Sequence, residues 1–362
     1  MDDDNEAILV IGAGASGLAF ALECIDHGFK VRLIDQRPGR SMIEKATGIA
    51  QGVWNQLDKF QISPRSIADT IPMSNFAFYD DAKLISNVSV PAIKGKQPAH
   101  LFPQGELEKI LEHRLAEMGV QVEYGIQFVS IIKNSDTATV RLIRNECNTE
   151  ELGEFKWVIG ADGAHSRVRR ALEVPFKGRE YPEQWSVAEI NTRQWPSSLQ
   201  AKLHLQSDGV GLFLSQPALG TVQGILNAPG AGVRLKEHFS DAEIKYERAF
   251  KVSLRRVLSP RVKCFWLIGD AAHVQSPVGG QGLNLAIWDG ITLAKALMKN
   301  DLSVETQLAK RARNVLFFTD FDYRMLATKN TLIRNCRNYY WSAASRYPFL
   351  ARWFFKIISG VW

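Results

Sequence analysis

The sequence has little cysteine, and its cysteines are scattered. Cys24, Cys147, Cys264 and Cys336 form no Cys-x-x-Cys pair, and no histidine stands near them at the spacing of a metal site. Disulfide frameworks and structural zinc sites both need grouped cysteines. We therefore expect reduced thiols, a cytoplasmic protein and no bound metal.

Long apolar runs are also missing. No segment is long enough to cross a bilayer, and the acidic start of residues 1–4 differs from the basic and then apolar pattern of a secretion signal. The formal net charge of +6 is compatible with anionic ligands but too small to indicate a nucleic-acid partner. We expect no nucleic-acid binding, and no feature of the sequence indicates an oligomeric state.

The sequence contains no internal repeat and no low-complexity segment. Its 362 residues are 46% hydrophobic, which is enough to bury a large core and to form two lobes. The lobes must therefore be found from individual motifs.

The first motif is a strand–helix–strand unit at the start of the chain. An apolar run, Ile8 to Ile11, leads into the glycine-rich stretch Gly12-Ala13-Gly14-Ala15-Ser16-Gly17 and a helix-forming segment, Leu18 to Glu23. A second apolar run, Lys30 to Ile34, ends on Asp35. This G-x-G-x-x-G pattern, followed about twenty residues later by an acid, is typical of dinucleotide-binding folds.

Each residue type in this motif has a physical reason. Gly12 allows the tight turn, Gly14 lets the backbone approach a pyrophosphate, and Gly17 lets the helix pack closely on the strand. The helix N-terminus offers N–H groups and a positive dipole end to the phosphates. Asp35 can accept hydrogen bonds from ribose hydroxyls. The pattern alone does not distinguish FAD from NAD(P).

Two further glycine-containing motifs each follow an apolar strand. Phe155 to Ile159 runs into the stretch from Gly160 to Arg169, which contains Asp162. Cys264 to Ile268 runs into Gly269-Asp270-Ala271-Ala272-His273, followed by Pro277 and Gly282-Leu283-Asn284. The spacing predicts a helix from Leu285 to Met298. Within this region we expect His273 to be a structural hydrogen-bonding residue and Asp289 to be a helix-to-sheet contact.

Other segments give a coarse secondary structure. Helices are predicted at Gln51 to Phe60 and from Gln104 onwards, where Leu107, Leu111 and Leu115 share one face. The predicted strands are Asn75 to Asp81, Leu84 to Val90, Gln121 to Val129, Ser130 to Lys133, Thr137 to Arg144, Ser186 to Asn191, Ala201 to Gln206, Val210 to Ser215 and Thr221 to Leu226. The last four indicate an antiparallel sheet, which often forms the wall of a substrate pocket.

Together, the three motifs resemble those of the single-component FAD-dependent aromatic monooxygenases, the family of para-hydroxybenzoate hydroxylase and the ubiquinone-biosynthesis hydroxylases. The resemblance covers nearly the whole chain. It implies an α/β fold, with a Rossmann-type FAD-binding domain, an inserted antiparallel-sheet substrate domain and a C-terminal helical segment. The corresponding boundaries are 1–72, 98–175 and 262–300 for the FAD-binding domain, 73–97 and 176–261 for the substrate domain, and 301–362 for the C-terminal helices.

The resemblance also implies the cofactors and the reaction. FAD and NAD(P)H are the expected cofactors, with NAD(P)H bound near Asp162; the sequence has no second G-x-G-x-x-G unit, which agrees with this arrangement. The expected activity is hydroxylation of a small aromatic, quinone-like or polycyclic substrate with O2, through a C4a-hydroperoxyflavin. No residue is predicted to be catalytic.

The cofactor-binding residues follow from the same resemblance. Asp270 would meet the ribityl hydroxyls, and the helix beginning near Gly282 would direct its N-terminus at the flavin ring. Relatives commonly carry Arg at the position of Lys45. Many also carry Arg where Gln104 stands, although the aromatic-hydroxylase branch of the family often has Gln there. The predicted cofactor-binding residues are Gly12, Ala13, Gly14, Ala15, Ser16, Gly17, Asp35, Gln36, Arg37, Lys45, Gln104, Val129, Asp162, Gly269, Asp270, Pro277, Gly280, Gly282, Leu283 and Asn284.

Alternatives remain open. A flavin-dependent halogenase would be expected to carry a W-x-W-x-I-P motif, which the sequence lacks. A flavin-dependent reductase of a lipid or prenyl substrate would turn over without O2. An inactive flavin-binding partner protein would show no substrate-stimulated NAD(P)H oxidation.

Two regions bear on the substrate. Few charged residues fall in the predicted sheet, which favours a neutral aromatic; the candidates for facing the pocket are Glu189, Arg193, Lys202 and Asp208. Near the C-terminus, apolar residues at helical spacing from Phe349 to Val361 form one face. We favour packing of this face on the protein, and the alternative is a peripheral membrane contact.

Overall fold

The computed structural model describes residues 7–40, 46–206, 209–216 and 219–359. Its strands are β1 (Ile8–Ile11), β2 (Val31–Asp35), β3 (Gly48–Ala50), β4 (Ile71–Pro72), β5 (Asn75–Asp80), β6 (Lys83–Ser89), β7 (Ala99–Leu101), β8 (Val122–Tyr124), β9 (Ile126–Asn134), β10 (Ala138–Arg144), β11 (Thr149–Phe155), β12 (Trp157–Gly160), β13 (Lys177–Asn191), β14 (Ala201–Gln206), β15 (Gly209–Gln216), β16 (Thr221–Leu226), β17 (Glu243–Arg256), β18 (Arg261–Val262), β19 (Phe265–Leu267) and β20 (His273–Val274). Its helices are α1 (Ala15–Asp26), α2 (Gln51–Leu57), α3 (Gln104–Glu117), α4 (Arg167–Ala171), α5 (Ala231–His238), α6 (Gln281–Met298), α7 (Val304–Leu326), α8 (Thr331–Arg346) and α9 (Pro348–Ile358).

The first large sheet carries the three glycine-containing motifs. Its order is β18-β19-β12-β1-β2-β8, and the neighbours from β19 to β8 pair in parallel. All four residues of β1 are buried, because helices cover one face of the sheet and the β9–β11 sheet covers the other. The carboxyl ends of β1, β12 and β19 lie side by side, which brings the three motifs to one edge of the sheet.

Close contact between α1 and α6 needs glycine at the crossing. A Cβ built on Gly290 would lie 2.5 Å from the backbone oxygen of Ser16. At the start of α1, a Cβ on Gly17 would lie 2.0 Å from the oxygen of Gly12. Both distances are far below a van der Waals contact, so these glycines set how closely α1 packs on α6 and on the turn after β1.

The second large sheet has the order β20-β17-β13-β16-β15-β14-β5-β6 and is antiparallel except for the β14–β5 pair. Helix α5 packs on one face. The other face packs against α7, α8 and α9. The fold class predicted from the sequence, a Rossmann-type lobe with an inserted antiparallel sheet and C-terminal helices, is confirmed. The domain boundaries remain a prediction.

The C-terminal helices are part of the core of the second lobe. Trp341 stacks on Phe78 with ring centroids 3.9 Å apart, and Ala351 and Phe355 are buried. The backbone N–H of Gly52 donates to the oxygen of Ser359 at 2.9 Å. Helix α9 thus packs on the protein through Ala351 and Phe355, whereas Phe349, at the start of the predicted apolar face, is 69% exposed. The side chains of Trp353, Ile357 and Ile358, together with residue 361, lie outside the described part.

Several elements differ from the sequence prediction. Strands β11 and β17 were not predicted. The side chains of β11 are mostly polar and exposed, whereas β17 carries apolar side chains at alternate positions that the sequence prediction overlooked: Ile244, Tyr246, Phe250, Val252 and Leu254. Helices α4 and α5 were also missed, and β13 begins well before Ser186. The predicted strand from Gln121 to Val129 is two strands, because Gly125 adopts a left-handed φ of 73° between β8 and β9. None of the helices in the described part is long and apolar enough to cross a membrane.

Candidate functional site

A cavity of about 780 Å³ is lined by residues of both lobes. Its lining includes the edge of the first sheet where the glycine motifs meet, and it continues over the apolar face of the second sheet. Fifteen of the predicted cofactor-binding residues line it: Gly12, Gly14, Ala15, Ser16, Asp35, Gln36, Arg37, Gln104, Asp162, Asp270, Pro277, Gly280, Gly282, Leu283 and Asn284.

Four of the other predicted residues, Ala13, Gly17, Val129 and Gly269, are described by the structure but do not line the cavity. Gly17 faces the turn after β1, and the Ala13 N–H donates to Asp35. Gly269 donates its N–H to Asp289. Val129 lies just beyond the segment Ile126 to Phe128, which lines the cavity in its place. Lys45 lies outside the described residues.

The glycine-rich turn leaves room for a ligand. A Cβ built on Gly14 would have no heavy atom within 4 Å, whereas a Cβ on Gly12 would lie 2.3 Å from the oxygen of Ala161. Gly12 has a left-handed φ of 109°. Helix α1 begins directly after Gly14, which has no side chain to cap it. Its first turn presents backbone N–H groups towards this space, and the Ala15 N–H among them donates to Glu108. The arrangement fits an anionic group such as a pyrophosphate.

Asp35 is held by an arginine that lies two residues further along. Asp35 Oδ2 accepts hydrogen bonds from the Ala13 N–H at 2.9 Å and from Arg37 Nη2 at 2.7 Å. Burial alone would raise the pKa of Asp35, but the hydrogen bonds from Arg37 and Ala13 outweigh burial and lower it. The carboxylate therefore stays ionised, and ribose hydroxyls would share it with Arg37.

Glu108 also lines the cavity and was missed by the sequence analysis. Its Oε1 accepts hydrogen bonds from the Ala15 N–H at 3.1 Å and from Gln104 Nε2 at 2.8 Å. The sequence did contain a signal for this residue. Glu108 stands four residues after Gln104 on the predicted helix, so the two side chains lie on the same helix face. Gln104 and Glu108 therefore line the cavity together, beside the first residue of α1.

Asp162 has one satisfied and one unsatisfied carboxyl oxygen. Oδ2 accepts from the backbone N–H groups of Arg167 at 2.7 Å and Val168 at 3.2 Å. Oδ1 is buried and has no hydrogen-bond partner within the described part of the chain. Burial raises the pKa of Asp162. Because a buried polar atom without a partner is costly, Oδ1 marks a place for a ligand donor.

Basic side chains stand around the Asp162 motif and line the same part of the cavity. They are His165, Arg167 and Arg170, joined by Lys251 from β17. Together they favour an anionic ligand at this end.

Behind the third motif lies a buried pair that does not line the cavity. His273 Nε2 and Asp289 Oδ2 are 2.6 Å apart, and Asp289 also accepts from the Gly269 N–H at 3.2 Å. Burial would lower the pKa of His273, but Asp289 outweighs it and raises that pKa. The pair fixes the turn that presents Asp270 to the cavity, so the structural roles expected for His273 and Asp289 are confirmed.

The loop before α6 is fixed by Asn284. Its Oδ1 accepts from the Ala50 N–H at 2.8 Å, and its Nδ2 donates to the oxygen of Gly280 at 2.7 Å. Gly280 precedes α6 with a left-handed φ of 61° and no side-chain cap. The first turn of α6 is therefore rigid and presents its N–H groups at the cavity.

These features fit a dinucleotide that carries a flat ring. The N-terminus of α6 has no side-chain cap, Gly14 at the start of α1 borders open space, and Asp162 Oδ1 lacks a partner in the described structure. In the described residues no cluster suited to a metal ion is found.

The other half of the cavity is apolar and aromatic. Its lining includes Phe76, Phe78, Trp185, Leu212, Ile225 and Phe250. Of the charged residues that the sequence analysis named as pocket candidates, the three that the structure describes, Glu189, Arg193 and Lys202, do not line it. Lys202 lies on the opposite face, over Trp195 and Phe239, because side chains alternate along β14 and its neighbour Leu203 takes the cavity side.

The other named candidates are also displaced or undescribed. Glu189 pairs with Lys245 at 3.3 Å, and Arg193 does not line the cavity. Asp208 lies outside the described residues. In their place, two polar side chains that the sequence analysis missed line the apolar half: Gln223 and Asp322. Each has a buried polar atom, Nε2 or Oδ2, without a partner in the described part of the protein.

Comparison with known proteins identifies a family whose cofactor fits this cavity. The model of the family described as "FAD binding domain" matches residues 5–220 and 233–301. The chain is 27% identical over 323 residues to pentachlorophenol 4-monooxygenase of Sphingobium chlorophenolicum, covering 80% of this chain and 57% of that protein. It is 26% identical over 319 residues to 6-methylpretetramide 4-monooxygenase of Streptomyces rimosus, covering 80% of this chain and 55% of that one. The chain thus spans little more than half the length of these two relatives.

Solved structures show the same fold. The p-nitrophenol 4-monooxygenase PnpA from Pseudomonas putida superposes with a TM-score of 0.87 at 19% identity, covering 99% of both chains. A ternary complex of aklavinone-11 hydroxylase with FAD and aklavinone gives a TM-score of 0.77 at 20% identity, covering 92% of this chain and 71% of that one. These matches and the family match confirm the resemblance that the three motifs indicate.

Proposed function

The chain belongs to the FAD-binding domain family, and from this premise we propose that it is a flavoprotein monooxygenase that hydroxylates a neutral aromatic or polycyclic compound with NAD(P)H and O2. One observation carries the proposal: a single cavity joins the residues suited to a dinucleotide with a chamber lined by aromatic and aliphatic side chains. A substrate in that chamber would lie beside the redox group without a solvent layer between them.

The chain's own residues would hold FAD in a defined way. The first turn of α1 and the space beside Gly14 would take the pyrophosphate, and Asp35 with Glu108 would take the adenosine side. Asp270 and the first turn of α6 would contact the far end of the cofactor. When bound, FAD supplies the redox chemistry, accepting hydride from NAD(P)H and activating O2.

The N-terminus of α6 has an electrostatic role in this proposal. Its N–H groups and dipole would stabilise negative charge on the ring that they face. Asn284 holds this turn against β3, so the donors need no rearrangement during turnover. The basic residues His165, Arg167 and Arg170 would attract the phosphates of NAD(P)H to the same end of the cavity.

The apolar half supports a neutral aromatic substrate. Phe76, Phe78 and Phe250 would stack on or pack against a ring system and exclude water from it. A membrane surface is not part of this proposal, because α9 buries Ala351 and Phe355 against the protein.

The proposal predicts substrate-stimulated NAD(P)H oxidation. We expect FAD-loaded protein to consume NADPH or NADH slowly alone and several times faster with apolar phenols or polycyclic phenols, because a filled chamber excludes water and orients the reacting ring. The measurement is NAD(P)H absorbance against a panel of aromatic compounds and of small aromatic acids. Stimulation by the acids alone would contradict a neutral substrate, and no stimulation by any compound would favour an inactive flavin-binding protein.

A further inference from the structure

Asp322 is the acidic side chain in the apolar half of the cavity. It lies on α7, is only 9% exposed, and its Oδ2 has no hydrogen-bond partner in the described structure. The acid one half-turn earlier, Asp320, is different: it accepts hydrogen bonds from Arg179 and from the Tyr181 hydroxyl, both at 2.6 Å. Asp320 thus has a structural role in hydrogen bonds at the surface of α7, whereas the buried Oδ2 of Asp322 takes no part in them.

The position of Asp322 is at the junction of the two halves. Its Oδ2 lies 3.9 Å from the Cβ position of Gly279, which belongs to the loop that leads into α6. Val278 and Leu326 line the cavity next to it. The adjacent Tyr323 hydroxyl accepts a hydrogen bond from Asn227 at 3.2 Å and is also hydrogen-bonded to Glu183, so its partners are other than Asp322. This carboxyl group therefore borders both the loop before α6 and the apolar lining of the cavity.

A buried carboxyl group without a partner is unfavourable for folding. Burial raises the pKa of Asp322 to about 7, so both its protonated and its ionised forms are accessible near neutral pH. Replacing such a group with an apolar side chain of similar size commonly stabilises a protein, so its presence at a cavity wall points to use by a ligand.

We propose that Asp322 binds the hydroxyl group of the aromatic substrate and selects phenolic compounds over their ethers. The substrate O–H donates to the Asp322 carboxylate, and the ring then lies in the aromatic chamber beside the loop before α6. This inference rests on the proposed function and deepens it by naming the substrate class. A methyl ether of the same ring system could not donate and would leave Oδ2 buried without a partner.

The test compares two probes that differ in this one group. 2-Naphthol and 2-methoxynaphthalene are titrated into FAD-loaded protein, and their dissociation constants are measured by calorimetry and by the change in the flavin absorption spectrum. We expect wild type to bind 2-naphthol about tenfold or more tightly than the ether, as for a hydrogen bond to a buried charged acceptor. In Asp322→Leu the ratio of the two constants should fall to about twofold or less, because the donor has lost its acceptor.

Two control variants separate recognition from structural damage. Leu326→Ala enlarges the cavity one turn along α7, so both probes should bind more weakly and their ratio should be kept. Asp322→Asn keeps a carbonyl acceptor and should give an intermediate ratio. The midpoint temperature of thermal unfolding of Asp322→Leu should be at least as high as that of wild type, because the change removes a buried unpaired carboxyl group.

The outcomes distinguish this inference from the proposed function. A preference for 2-naphthol that survives in Asp322→Leu, or wild type binding both probes equally, would overturn the role of Asp322 and leave the aromatic chamber intact. If FAD-loaded wild type binds neither probe, the aromatic substrate class and the role of Asp322 both fail.

Discussion

We expect Gly14→Val to abolish FAD binding and to leave the fold in place. A Cβ at position 14 has no heavy atom within 4 Å, and the backbone there is extended, with φ −88° and ψ −179°. Valine readily adopts this extended backbone conformation, so the apoprotein should fold normally. Its side chain fills the space before α1 where the pyrophosphate would lie, so the dissociation constant for FAD should rise by about 100-fold or more.

The measurement is titration of apoprotein with FAD, followed by quenching of flavin fluorescence, together with thermal unfolding monitored by circular dichroism. Gly39→Val is the matched control, since a Cβ at Gly39 also meets nothing within 4 Å but Gly39 does not line the cavity. It should bind FAD as wild type does. Gly12→Val should instead disturb the fold, because the oxygen of Ala161 lies 2.3 Å from its Cβ position. Near-normal FAD affinity in Gly14→Val would place the pyrophosphate elsewhere.

Trp341→Ala should lower the free energy of unfolding by about 3–5 kcal/mol, the usual range for removing a large buried aromatic side chain. Trp341 is 3% exposed and contacts Phe78 in a stacked arrangement and Phe354 edge-on, with centroids 5.0 Å apart. Both phenylalanines line the cavity. The loss should therefore also weaken binding of aromatic compounds, because the wall of the chamber loses its support.

Chemical denaturation gives the free energy directly. Tyr339→Ala, two residues earlier on the same helix, is the control: Tyr339 is 78% exposed, and its removal should change stability by less than about 0.5 kcal/mol. If Trp341→Ala cost no more than this control, α8 would not be an integral part of the second lobe.

The parts of the fold that the sequence predicted well are those with local signals. The strand–helix–strand unit from Ile8 to Asp35 combines an apolar run, fixed glycine spacing and a second apolar run, and each signal lies within a few residues of the next. Strand β17 carries alternating apolar side chains but no glycine motif beside it, and its register is set by β13, an element more than fifty residues away in the sequence.

The same distinction applies to the site. Gly14, Asp162 and Asn284 belong to motifs with fixed spacing, so their meeting at one sheet edge follows from parallel-strand topology. Asp322 reaches the cavity only because α7 packs across the second lobe, and its lack of a partner cannot be read from neighbouring residues. The facing of Lys202, a pocket candidate, could not be decided from the sequence for a related reason: strand alternation fixes which residues share a face, but not which face borders the cavity. The structure places Lys202 on the face away from the cavity.

Isotope incorporation tests the central claim most directly. FAD-loaded protein is incubated under ¹⁸O2 with NADPH and an aromatic compound that stimulates NADPH oxidation, and the product is analysed by mass spectrometry. We expect each product molecule to carry one atom of ¹⁸O, because a monooxygenase transfers one atom of O2 to the substrate that fills the apolar half of the cavity. A reduced product formed equally well without O2, or NADPH consumption that leaves the aromatic compound unchanged, would contradict this expectation.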